Sequence, residues 1–180
     1  VIGGPTHSPL AGDDYETAAS NDAFLNAQPL GLFSVDQDLG LTQGIGPLAS
    51  DRLAKSVGGV LSSATDIDWY RFDVNYQNLT RDNAALYLST IFDIDYADGF
   101  ARSDVAIYVF NAAGALILVG GDSNIADDQP TGISGNSSNN LSQGSAGTRD
   151  PFIGAAELAE GNYFVAVVNQ AQVPSVLDQF

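Results

Sequence analysis

From Val57 onward the chain is a succession of short apolar runs, each too brief for a helix and each closed by a turn-forming residue. VGGVL, WYRFDV, AALYLSTIF, SDVAIYVF, ALILVGG, FIGAAEL and NYFVAVVN are rich in β-branched and aromatic residues and are bounded by Gly, Asn or Asp. WYRFDV alternates cleanly, with Trp69, Arg71 and Asp73 on one side of a strand and Tyr70, Phe72 and Val74 on the other. The segment NAAG at 111–114 lies between two such runs and predicts a hairpin turn. About seven strands with little helix predict an all-β fold. An antiparallel sandwich is the expected form, because an exposed sheet face must be covered by a second sheet. Trp69, Tyr70, Phe72, Tyr108, Phe110, Tyr163 and Val165 are the expected core, with one of Trp69 and Tyr70 half exposed because they face opposite ways.

The remainder of the chain is less regular. Residues 1–14 are Gly- and Pro-rich and read as a linker or lead-in, leaving 15–180 as a single domain. One or two short helices are expected, around Asp22–Gln28 and in SDRLAKS at 50–56. Residues 122–150 read as a long polar loop, of the kind that usually carries function. Since the chain has no Met, Val1 is expected either to follow a processing site or to mark an excision from something longer, and the end at Phe180 reads as a further cut.

Charge narrows the partners. The chain carries 22 acids and 6 bases, a formal net charge of −16. Such a surface repels polyanions, which argues against nucleic acid and anionic membranes and in favour of divalent cations. The acids are 19 Asp and only 3 Glu. Asp prefers turns and caps, where its short carboxylate bonds local backbone, and loop carboxylates are the ligands that calcium takes. No apolar run approaches the roughly 20 residues needed to span a bilayer.

Several chemistries are excluded by composition. Without Cys there are no disulfides, thiolate metal sites or cysteine nucleophiles. His7 is the only histidine and falls in the lead-in, which leaves no base for a serine triad and no imidazole set for zinc. GIGPLA at 44–49 fits a dinucleotide fingerprint in letters, yet no strand leads into it and no βα alternation follows. No catalytic residues are expected.

The acidic clusters are the remaining candidates. Asp66 and Asp68 open the strand of TDIDWY, and residues two apart in a strand point to one side, so both can reach a single ion. Capping of a turn is the competing role for the same pair. Glu16, Asn21 and Asp22 precede the strand region. Asp122, Asn124, Asp127 and Asp128 in GDSNIADD, with Asp104 ahead of the preceding strand pair, form a second candidate. Both this run and Asp93, Asp95 and Asp98 in FDIDYADG begin like an EF-hand loop and fail to complete it, since neither reaches a closing Glu.

In order along the chain, ETAASNDAFLNAQPL, VGGVLSSATDIDWYRFDV, SDVAIYVFNAAGALILVGGDS and LAEGNYFVAVV resemble the bacterial pre-peptidase C-terminal (PPC) domain family. The resemblance covers residues 15–169 and is most specific at 66–74 and 158–168. It implies a jelly-roll-like β-sandwich carried by larger secreted proteins, with no catalytic residues. It also implies calcium ligands at Glu16, Asn21, Asp22, Asp66 and Asp68. The function expected from it is a non-catalytic, calcium-stabilised accessory domain, extracellular or at the cell surface, whose partners are other domains of a parent protein. The alternative is an adhesion module that binds polysaccharide or a surface protein through its acidic loops.

Overall fold

The computed structural model describes residues 14–17, 20–34, 57–75, 87–94, 104–122, 151–174 and 176–177. Nine strands run through them: β1 (Asp14–Tyr15), β2 (Gln28–Ser34), β3 (Val57–Gly58), β4 (Ile67–Asn75), β5 (Tyr87–Asp93), β6 (Val105–Asn111), β7 (Leu116–Gly120), β8 (Phe152–Ala159) and β9 (Gly161–Asn169). The helix expected at 22–28 contracts to a single 3-10 turn, Phe24–Asn26, because β2 already begins at Gln28. The fold is all-β, and every one of the seven apolar runs contributes a strand.

The largest sheet has five strands in the order β2-β4-β9-β6-β7. Its interior pairs are antiparallel, but β2 runs parallel to β4, as β1 does to β3. The sheets are therefore mixed, which corrects the expectation of purely antiparallel pairing. Parallel neighbours need a crossover of a dozen or more residues, and the stretch between β2 and β4 is long enough to supply one. The residues 50–56 expected to turn helical fall in that stretch, outside the described residues, as do 1–13 and 123–150. Asp14, placed by sequence in the lead-in, already belongs to β1.

At 111–114 the hairpin forms as its residues dictate. Gly114 takes φ +77°, its N–H donates to the Asn111 carbonyl at 2.9 Å, and Asn111 Oδ1 accepts the N–H groups of Ala113 and Ala115 at 2.9 and 3.0 Å. Asn satisfies the turn's backbone from inside while Gly supplies the left-handed residue, which is the division of labour such turns require.

Both faces of the sheet's central strands carry packed side chains. On one face Tyr70, Phe72, Val74, Ile107, Val109, Tyr163 and Val165 pack with Leu158, Phe92 and Ile153 of the separate β5–β8 pair. On the other, Trp69, Ala106, Phe110, Ala166 and Val168 are covered by Phe24 from the 3-10 turn and by Val176 and Leu177. Phe24 meets Trp69 edge-on at 5.3 Å and stacks on Phe164 at 4.0 Å. Trp69 and Tyr70 are consequently both buried, at 2% and 7% exposure, rather than one of them standing half out. The expected core residues are buried except Tyr108, which is half-buried and whose hydroxyl reaches the Gln172 carbonyl at 3.5 Å.

The β5–β8 pair comes close to the main sheet at Gly120. A Cβ there would lie 2.6 Å from Ile153 Cγ1, well inside contact distance. Gly120→Ala is therefore expected to cost about 1–3 kcal/mol by overpacking. A urea midpoint equal to that of the wild type would show that Ile153 can turn aside freely.

Candidate cation site at the start of β4

Strand β4 leaves a turn at 63–65, and Asp66 closes that turn. The Asp66 carboxylate accepts the Ser62 N–H, and its own N–H donates to the Ser63 carbonyl at 3.2 Å. Hydrogen bonds from the Ser62 side chain and backbone hold the Asp66 carboxyl below the usual carboxylate range. This is the capping role, performed by Asp66.

Asp68 does something different. The strand's alternation carries it to the same face as Tyr70, Phe72 and Val74, so it extends the apolar stripe inward and is only 3% exposed. Its Oδ1 is buried with no hydrogen-bond partner. Burial is the main cause that pushes its carboxyl up to about 8, followed by a hydrogen bond with Glu16 and the negative charges of Glu16, Asp66 and Asp22. A carboxyl in this setting must find either a proton or a cation at neutral pH.

Glu16 and Asp22 act on Asp68, and Asn21 reaches the neighbouring Tyr70, because the chain before β2 is laced to the strand region. The Glu16 N–H donates to the Gly58 carbonyl at 2.9 Å, extending the β1–β3 pairing, and Glu16 Oε2 accepts the Val60 N–H at 3.2 Å. Asn21 is tied to β4 through its carbonyl, which accepts the Trp69 N–H at 3.0 Å. Its side chain is 2% exposed, is hydrogen-bonded to the Tyr70 hydroxyl, and leaves Nδ2 without a partner. Asp22, next in the chain, is exposed at the rim.

Glu16, Asp22 and Asp66 are thus brought within electrostatic reach of Asp68, with Asn21 tied to the next residue of the strand. As the side chains stand, no group of three or more His, Cys, Asp or Glu among the described residues has the spacing of a metal site. What the corner offers is an unpartnered buried carboxylate oxygen within a group of oxygen donors, the hard ligand type that calcium and magnesium accept.

Two further residues shape the corner, and neither was singled out for it by sequence. Burial and the charges of Asp68 and Glu16 raise the Tyr70 hydroxyl's pKa far above its ordinary value, so it stays a neutral donor. Gly59 lets the chain pass close by, since a Cβ there would stand 3.0 Å from the Tyr70 hydroxyl and 3.5 Å from Glu16 Oε2. The i, i+2, i+4 spacing of Asp66, Asp68 and Tyr70 was the available signal for the tyrosine.

The second candidate reaches the described residues only through Asp104 and Asp122. The Asp104 carbonyl accepts the Gln170 N–H at 2.8 Å, while Asp104 Oδ1 and Gln170 Oε1 are buried without hydrogen-bond partners. Asp122 is exposed. Asn124, Asp127 and Asp128 lie outside the described residues, as do His7, Asp95, Asp98 and the 44–49 stretch. No helix among the described residues is long and apolar enough to cross a membrane. No family model, curated protein or solved structure matches the chain.

Proposed function

We propose that this chain is a non-catalytic, calcium-stabilised accessory domain of the PPC type, with a jelly-roll-like sandwich, serving a larger secreted or surface protein. The observation that carries the reading is Asp68: a buried carboxylate with a free oxygen, set beside Glu16, Asp22 and Asp66 and next to the Asn21 amide. Like charges so placed repel one another, and a divalent cation is the simplest species to reverse the sign of that interaction. Glu16, Asn21, Asp22, Asp66 and Asp68 would hold it.

The ion would act as a clasp. Residues 20–27 cover one face of the main sheet with Phe24 and Ala27, and the ligands at 16, 21 and 22 flank that cover. Neutralising the carboxylates would fix the N-terminal segment against β4 and so keep Trp69 covered. The module's work is then mechanical: spacing, stability and export of what it is joined to.

Thermal melting under calcium and EDTA tests this. Calcium at about 100 times its Kd adds about 2.7 kcal/mol to stability. The melting temperature is expected to rise with calcium and fall with EDTA, and protease cleavage at 15–25 to increase in EDTA. A melting temperature indifferent to both reagents sinks the clasp.

A further inference from the structure

Tyr70 stands where strand β4 meets the segments that would hold the ion. It follows Asp68 by two residues, so both side chains leave the same face of the strand. Its ring belongs to the core with Phe72, Val109 and Val165 and is buried. Phe72 and Val74, next along the same stripe, have no polar tip. Packing therefore accounts for the ring of Tyr70 and leaves its hydroxyl to be explained.

The hydroxyl reaches the chain just beyond β3. A Cβ on Gly59 would stand 3.0 Å from that oxygen, tighter than ordinary contact, and 3.5 Å from Glu16 Oε2. The absent side chain at 59 is thus what lets the hydroxyl sit beside the Glu16 carboxylate. Asn21 closes the group. Its carbonyl accepts the Trp69 N–H at 3.0 Å, its side chain is almost fully buried, and that side chain is hydrogen-bonded to the Tyr70 hydroxyl. An amide carries no net charge, so it is not drawn onto a cation from a distance as Glu16 and Asp22 are. Its place has to be set beforehand by its neighbours, as outer groups do for the ligands of other metal sites.

We infer that Tyr70 is a positioning residue of the cation site, its hydroxyl holding the Asn21 amide in place for the ion, and that Gly59 lacks a side chain so that this hydroxyl fits. The inference rests on the calcium reading above and adds to it two residues that touch no ion.

The test measures calcium affinity by calorimetry for the full chain as wild type, Tyr70→Phe, Gly59→Ala and the double variant, with melting temperatures of all four in calcium and in EDTA. Tyr70→Phe keeps the packed ring and removes only the hydroxyl. It is expected to weaken calcium binding about tenfold, the low end of what outer residues of metal sites contribute. Its melting temperature is expected to fall further below that of the wild type in calcium than in EDTA. Gly59→Ala, at an exposed position outside the core, is expected to weaken binding while the hydroxyl is present and to add little once Tyr70→Phe has removed it. A wild type that binds no calcium overturns the calcium reading and this inference together. Two results overturn the inference alone: Tyr70→Phe binding as tightly as the wild type, with an equal loss of melting temperature in calcium and in EDTA, or losses that simply add in the double variant.

Discussion

In EDTA at pH 8, Asp68→Asn is expected to melt higher than the wild type, and in saturating calcium it is expected to melt lower. The reason is the same in both arms. Without a cation the buried Asp68 carboxyl is pushed from its ordinary value of 3.8 up to about 8. The folded state therefore keeps a proton that the unfolded state has released throughout that interval. The stability this contributes is complete below about pH 4, declines as pH rises, and is gone once pH passes about 8. Each pH unit inside the window costs up to about 1.4 kcal/mol, the value of one proton held by one state and not the other. Asn mimics the protonated carboxyl in shape and charge and is indifferent to pH, so the variant escapes that loss. With calcium the ion takes the proton's place, and Asn, lacking the charge, gains little from it. Melting curves of both proteins from pH 5 to 8.5, in EDTA and in calcium, read the difference directly. Parallel pH slopes for wild type and variant in EDTA would remove Asp68 from the role, and an equal calcium gain in both would remove it from the ion's ligands.

Phe72→Ala is expected to cost about 3–5 kcal/mol, the range for emptying a large aromatic site in a packed core. Phe72 is buried where the main sheet meets the β5–β8 pair, stacked on Tyr163 at 5.5 Å and tilted against Phe92 at 5.9 Å. Its neighbour in sequence, Arg71, is exposed on the other side of β4, and Arg71→Ala is expected to stay within about 0.5 kcal/mol of the wild type. The pair tests the register, because a slip of one residue exchanges the two faces of the strand and with them the two costs. Chemical denaturation of both variants decides it: similar costs would place β4 in a different register.

The strands were readable because period-two alternation and turn residues are local. WYRFDV declared its two faces by itself, and NAAG contained both the Asn that satisfies the turn and the Gly that makes it. The same locality explains what went unread. QPLGLFS, with a Pro and a Gly inside it, does not look like a strand, and β2 exists because β4 offers it a parallel edge that no neighbour in sequence could indicate. The helix expected at 22–28 gave way to a 3-10 turn for the same reason, since β2 claims Gln28.

At the candidate site the sequence by itself set Asp66 and Asp68 two residues apart where a strand begins, and the resemblance brought Glu16, Asn21 and Asp22 into the set. It could not separate the two Asp residues, whereas in the structure β4 begins at Ile67, with Asp66 before the strand and Asp68 within it. Tertiary structure did that: Ser62 folds back on Asp66 and satisfies it, while the N-terminal segment and the sheet close over Asp68 and leave one oxygen without a partner. Burial also decided the fate of Trp69 and Tyr70, which alternation sends to opposite faces. Both are inside because Phe24, Val176 and Leu177, from opposite ends of the chain, cover the second face. Alternation assigns a side chain to a face, but only the segments that arrive from elsewhere in the chain determine whether that face meets water.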